Sequence, residues 1–123
     1  MKKKILIIED EKALIKALAD TFKKEEYEVL QARNGEDGLA IALDKRPDII
    51  LLDIIMPVMD GITMLKKLRE DPWGSEAKVM ILSNLSSDQK VDDAIENRAY
   101  DFLVKTDWTL AELVKKVKER LSE

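Results

Sequence analysis

Residues Ile49 to Leu52 are aliphatic without interruption and run directly into Asp53, then Ile54, Ile55, Met56, Pro57, Val58, Met59, Asp60 and Gly61. A half-exposed strand would alternate, so this run reads as a strand covered on both faces, in the middle of a parallel sheet. Asp53 is where that strand ends. A carboxylate beside so much aliphatic surface is costly to leave unpaired, and the proline four residues on stops the strand, so the acid stands at a carboxyl edge facing a loop. In open α/β sheets that edge is where ligands bind. The plainer alternative is an aspartate that only caps the following turn. The rest of the chain decides between them.

Taken in order, Lys4 to Ile8 form a second short aliphatic run, ending in Glu9 and Asp10, and Glu11 opens a helical pattern. Leu14, Ile15, Leu18, Ala19 and Phe22 make its apolar stripe. Tyr27 to Ala32 reads as a strand near the sheet edge. Asn34-Gly35 breaks it before a helix carrying Leu39, Ile41, Ala42 and Leu43, which Arg46-Pro47 ends. After Gly61 a third helix turns Ile62, Leu65 and Leu68 inward and stops at Asp71-Pro72. Lys78 to Leu82 is the fourth strand and delivers Ser83 to its end. Ser86 with Gln89 makes a capping box for a thinly apolar fourth helix. Asp101 to Val104 is the fifth strand, ending at Lys105. Thr109 with Glu112 opens a last helix with Leu110, Leu113, Val114, Val117 and Leu121 on one face. Five strands alternate with five helices, and the short connections require right-handed crossovers and a parallel sheet. A doubly wound α/β sandwich with flavodoxin-like strand order 2-1-3-4-5 is the expected fold, with residues 1–123 as a single domain.

Composition removes several chemistries. The 123 residues include no cysteine and no histidine, which excludes disulfides, cysteine-rich zinc sites, a Ser-His-Asp triad and any imidazole base. A formal net charge of -4 argues against broad nucleic-acid binding, which needs a basic face. No apolar run approaches the roughly 20 residues of a membrane span, so the expectation is a soluble, cytoplasmic protein with no membrane insertion. Catalysis here rests on carboxylates, lysines and hydroxyls.

Four of the five strands therefore end in a reactive side chain: Glu9 and Asp10, Asp53, Ser83, Lys105. In the 2-1-3-4-5 order the first and third strands flank the switch point, so the three carboxylates meet in its crevice. Like charges crowded together need a cation to relieve them. Hard oxygen ligands in a water-completed site suit Mg2+ better than zinc or copper. Lys105 and Ser83 add a point charge and a hydroxyl, the pieces that hold the oxygens of a phosphoryl group.

These residues resemble the receiver domain of bacterial two-component response regulators over essentially the whole chain, in the manner of the stand-alone chemotaxis regulators. The resemblance is carried by Glu9-Asp10, by Asp53-Ile-Ile-Met-Pro57-Val-Met-Asp60-Gly61, by Ser83 and by Phe102-Leu-Val-Lys105. It implies that Asp53 accepts the phosphoryl group, and that Asp10, Asp53 and the Ile55 carbonyl bind Mg2+, with Glu9 acting directly or through water. Lys105 and Ser83 would contact the phosphoryl oxygens, and Phe102 would change rotamer as Ser83 is drawn in. The function implied is a signalling switch in a phosphorelay, not an enzyme beyond its own phosphorylation and slow dephosphorylation. Its partners would be a sensor histidine kinase or phosphotransfer protein, and a downstream protein or second copy docking on the fourth helix, fifth strand and fifth helix. Ile55 and Leu85 stand where the family often positions the hydrolytic water. Neither can hydrogen-bond that water and their bulk excludes solvent, which predicts a long-lived phospho-Asp53.

Three positions depart from the pattern. Thr106 stands where proline usually follows the lysine through a cis peptide. A cis bond to threonine would cost about 3 kcal/mol, so either that bond is strained or Lys105 is presented by a different loop path. Arg98 replaces the usual glycine and Asn84 a smaller residue, which predicts narrower access to Asp53. A nucleotide or flavin domain of the same fold is set aside because neither G-x-G-x-x-G nor G-x-x-x-x-G-K-[ST] is present. An aspartyl phosphatase is disfavoured by the lack of D-x-D on the first strand. The remaining rival is a receiver-shaped binding module that signals without phosphorylation.

Overall fold

The structure, a computed structural model, describes residues 2–83, 96–98, 101–104 and 108–122. Its sheet holds β1 (Lys4–Ile8), β2 (Glu28–Ala32), β3 (Ile49–Asp53), β4 (Val79–Ser83) and β5 (Asp101–Val104). All neighbouring pairs are parallel, in the order β2-β1-β3-β4-β5. The helices among the described residues are α1 (Lys12–Lys24), α2 (Gly35–Lys45), α3 (Gly61–Glu70) and α4 (Leu110–Leu121), with a 3-10 turn at Gly74–Glu76. The helix expected from Ser86 onward lies outside the described residues up to Glu96, which is helical, so the C-terminal helix is α4 here.

The aliphatic runs dictate the layering through their period of two. Leu6, Ile8, Ile50, Leu52, Val79 and Ile81 face one core with Ala42 of α2 and Ile62, Met64, Leu65 and Leu68 of α3. Their neighbours Ile5, Ile7, Ile49, Leu51, Met80 and Leu82 face the other, with Ile15, Leu18, Ala19 and Phe22 of α1 and Leu113 and Val117 of α4. Helices thus cover both faces, which is why β3 reads as an unbroken apolar run. All five residues of β3 are buried, and its four aliphatic side chains stabilise the fold by about 2 kcal/mol each.

Some local readings change. Ser83 is the last residue of β4 rather than the first beyond it, and Tyr27 precedes β2 and packs edge-on against Phe22, ring centroids 5.2 Å apart. Leu43 and Leu110 do not join the buried stripes of their helices and are over a third exposed: Leu43 stands one residue round α2 from the buried Ala42, and Leu110 is the first residue of α4. Thr109 caps α4 as predicted by accepting the Glu112 N–H at 3.1 Å, but the reciprocal half differs: Glu112 Oε1 takes the Thr109 hydroxyl at 3.2 Å.

Candidate functional site

Register assembles the acids. β1 and β3 pair Ile7 with Leu51 and Ile8 with Leu52, so the next step brings Glu9 alongside Asp53 at the carboxyl edge. Among the described residues Glu9 and Asp53 are the buried charged side chains, 1% and 5% exposed, and Asp10 is half-buried beside them. One carboxylate oxygen from each of Glu9, Asp10 and Asp53 lies within 4.8 Å of the other two. Three oxygen donors at this spacing fit a hard divalent cation and offer nothing to a thiophilic or imidazole-seeking metal. Glu9 also has a local task. Its Oε2 accepts the Glu11 N–H at 2.8 Å and so ties down the start of α1, where Glu11 itself gives no side-chain cap.

The loop that carries the chain away from Asp53 is closed on itself. The Gly61 N–H donates to the Ile54 carbonyl at 2.7 Å, and a Cβ at Gly61 would collide with the Asp53 carbonyl. Asp60 then caps α3, accepting the Thr63 N–H at 2.9 Å and the Thr63 hydroxyl at 2.9 Å. Between them the Met59 N–H reaches the Pro57 carbonyl at 2.8 Å across Val58, whose φ is 70°. That is the bond of a γ-turn with a positive central φ, a rare and strained form that a β-branched residue suits poorly. Val58 is 74% exposed and Ile55 55% exposed, so Ile55 leaves most of its side chain in solvent.

The other strand ends follow the same ladder. Asp53 pairs with Leu82, and Ser83 with Val104, so the backbone of Ser83 lies one step beyond Asp53 and β5 ends beside it at Val104. Phe102 lies within β5. Asn84, Leu85, Lys105 and Thr106 lie outside the described residues.

Arg98 corrects one expectation. Its φ of 62° explains why a glycine would serve there, but the residue does not border the site. Arg69 of α3 holds it at the opposite edge. The guanidinium donates to the carbonyls of Arg98 (2.9 Å), Asn97 (2.8 Å), Gly74 (2.8 Å) and Ala77 (2.6 Å), the last just ahead of β4. A five-residue strand separates that edge from Ser83, so Arg98 cannot narrow access to Asp53.

Two residues escaped the sequence reading. Arg33, just past β2, donates through Nη2 to the Asp10 carbonyl at 2.7 Å. Gly35 opens α2 with its N–H on the Met59 carbonyl at 3.0 Å, and a Cβ there would strike that same oxygen. Asn34-Gly35 signals a turn in sequence, but nothing local reveals that the turn abuts residues 23 or more positions away.

Matched against protein-family models, residues 5–118 fit the response regulator receiver domain. The response regulator PleD of Caulobacter vibrioides is 38% identical over 105 residues, covering 85% of this chain but 23% of PleD. Protein PilH of Pseudomonas aeruginosa is 35% identical over 104 residues, 83% of this chain and 84% of PilH. Among solved structures, CheY in a CheX-CheY-BeF3-Mg2+ complex from Borrelia burgdorferi superposes with a TM-score of 0.86 at 31% identity, covering 95% of this chain and 87% of that one. The chain belongs to the response regulator receiver domain family of two-component signalling, and its acidic cluster is compatible with metal binding. Among the described residues no helix is long and apolar enough to cross a membrane.

Proposed function

We propose that residues 1–123 form one receiver domain that acts as a phosphorylatable switch, with Asp53 as the acceptor. The observation that carries this reading is the buried Asp53 carboxylate at the end of the central strand, within 4.8 Å of both Glu9 and Asp10 oxygens. In the reaction an Asp53 carboxylate oxygen attacks the phosphorus of a phosphohistidine on a sensor kinase or phosphotransfer protein. The P–N bond breaks as the new P–O bond forms, and the departing imidazole nitrogen keeps the electron pair. Burial of Asp53 fixes the nucleophile and removes competing water, while the Gly61 and Asp60 bonds hold the loop behind it.

Glu9, Asp10, Asp53 and the Ile55 carbonyl are the residues that would hold Mg2+, which when bound supplies positive charge against the phosphoryl oxygens. Lys105 and Ser83 would receive those oxygens, and Phe102 would follow Ser83. The response would be a population shift in the surface of the helix expected from Ser86 onward, β5 and α4; a downstream protein or second copy would read it. A donor charged from ATP would be met in the cytoplasm. Support for the chemistry comes from the Borrelia relative, whose complex contains BeF3 and Mg2+.

Asp53→Asn should take up no phosphoryl group from acetyl phosphate, read by intact mass, while the native chain labels with Mg2+ and not in excess EDTA. A variant that labels as well as the native chain removes Asp53 from the role. A native chain that never labels leaves the phosphorylation-independent binding module.

A further inference from the structure

The short segment from Ala32 to Gly35 touches both loops that carry the acids. The Ala32 carbonyl accepts the Glu9 N–H at 3.0 Å, Arg33 Nη2 donates to the Asp10 carbonyl at 2.7 Å, and the Gly35 N–H holds Met59 at 3.0 Å. Within the turn the Glu9 carboxylate accepts the Glu11 N–H at 2.8 Å, and Arg33 ties the turn's backbone at Asp10 to the end of β2. We infer that Arg33 is a positioning residue of the acidic site: its guanidinium, bonded to the Asp10 carbonyl, holds the turn in the form that presents Asp10 and Glu9 to a divalent cation.

The inference rests on the reading of the acidic cluster as a cation site and adds to it an element of the fold outside the acids themselves. Two effects of Arg33 oppose each other. As a like charge it repels a divalent cation, but the side chain is exposed, and at a separation of roughly a Debye length the salt-screened repulsion in water costs only about twofold in affinity. As a charge-assisted donor it immobilises the backbone of a ligand residue. Outer partners of metal ligands are worth about tenfold or more in affinity, and the ordering effect therefore wins.

The test is Mn2+ binding by electron paramagnetic resonance on the native chain, Arg33→Met and Arg33→Lys, with melting temperatures taken in EDTA. Arg33→Met should weaken Mn2+ by about threefold to tenfold, at or below the lower end for outer partners of metal ligands, with its melting temperature in EDTA unchanged. Arg33→Lys, which keeps the charge and a donor, should fall between the two. A methionine variant that binds Mn2+ as tightly as the native chain, or more tightly, overturns the inference, because repulsion is then the larger effect. So does a loss of affinity that a parallel fall in the EDTA melting temperature accounts for, or a lysine variant no better than methionine. A native chain that binds no Mn2+ removes the cation site itself, a result distinct from all of these.

Discussion

Val58→Asn should make this protein more stable, although it replaces an aliphatic side chain with a polar one. Val58 sits at φ 70° with the Met59 N–H on the Pro57 carbonyl, and holding an L residue at positive φ costs about 1 to 2 kcal/mol. Asparagine tolerates that region with little penalty. The opposing loss is small, because Val58 is 74% exposed and its covered quarter is worth about 0.4 to 0.8 kcal/mol of burial. The net gain is about 0.5 to 1 kcal/mol. With about 0.26 kcal/mol/K of unfolding entropy for 123 residues, that raises the melting temperature by about 2 to 4 °C. Val58→Gly relieves the same strain but frees the unfolded chain by about 0.5 to 1 kcal/mol, so it should melt close to the native protein. Calorimetry of the three chains in EDTA reads the order. An asparagine variant that melts at or below the native temperature refutes the strain.

Arg69→Met should cost roughly 2 to 4 kcal/mol in urea unfolding, since it strips charged donors from four carbonyls, and Arg69→Lys should recover only part of it; a methionine variant within experimental error of native stability would refute the clamp. Burial holds the Tyr27 phenol above its usual range, so the folded state binds that proton more tightly than the unfolded one. The stability linked to it is complete below about pH 10 and is lost as pH rises beyond, so Tyr27→Phe should match the native protein at neutral pH and unfold less steeply at alkaline pH; parallel curves would contradict this. Lys118, raised by its bond to Glu25, adds an alkaline loss of the same sign that both chains share. Ile55→Asn with Leu85→Glu, loaded with phosphate and freed of donor, should lose its phosphoryl group about tenfold to a hundredfold faster than the native chain, by analogy with the penalty for misplaced reactants. An equal decay rate would show that water positioning at these two residues does not set the lifetime.

The strands were legible because burial on two faces leaves little choice of residue. Ile5 to Ile8 and Ile49 to Leu52 are 1% exposed or less, and no polar residue interrupts either run to blur the pattern. From strand order and register the meeting of Glu9, Asp10 and Asp53 followed by geometry alone. What stayed hidden is what depends on contact between distant backbone atoms. Arg33 on the Asp10 carbonyl and Gly35 on Met59 leave no periodic trace, since a hydrogen bond to a main-chain carbonyl asks nothing of the acceptor's side chain. Arg98 is hidden for a related reason: its departure from glycine reflects a dihedral angle at the far edge of the sheet, which sequence does not distinguish from bulk near the site. Leu43 and Leu110 show the remaining limit, because helical spacing marks a stripe but neither how wide it is nor how far along the helix it stays covered.

Arg69 has a consequence for which substitutions the fold can accept. Immobilising a long side chain costs about 2 kcal/mol of rotamer freedom, and here that ordering is shared among four acceptors from two stretches of chain. Four separate polar side chains doing the same would each lose their own freedom, and the turn at Asn97 and Arg98 has no room in sequence to supply them. Only a planar fork with several N–H groups in fixed relation meets carbonyls arriving from both directions. Repair of this corner by nearby substitutions is therefore closed off, and a library randomised at position 69 and selected for folding should return arginine.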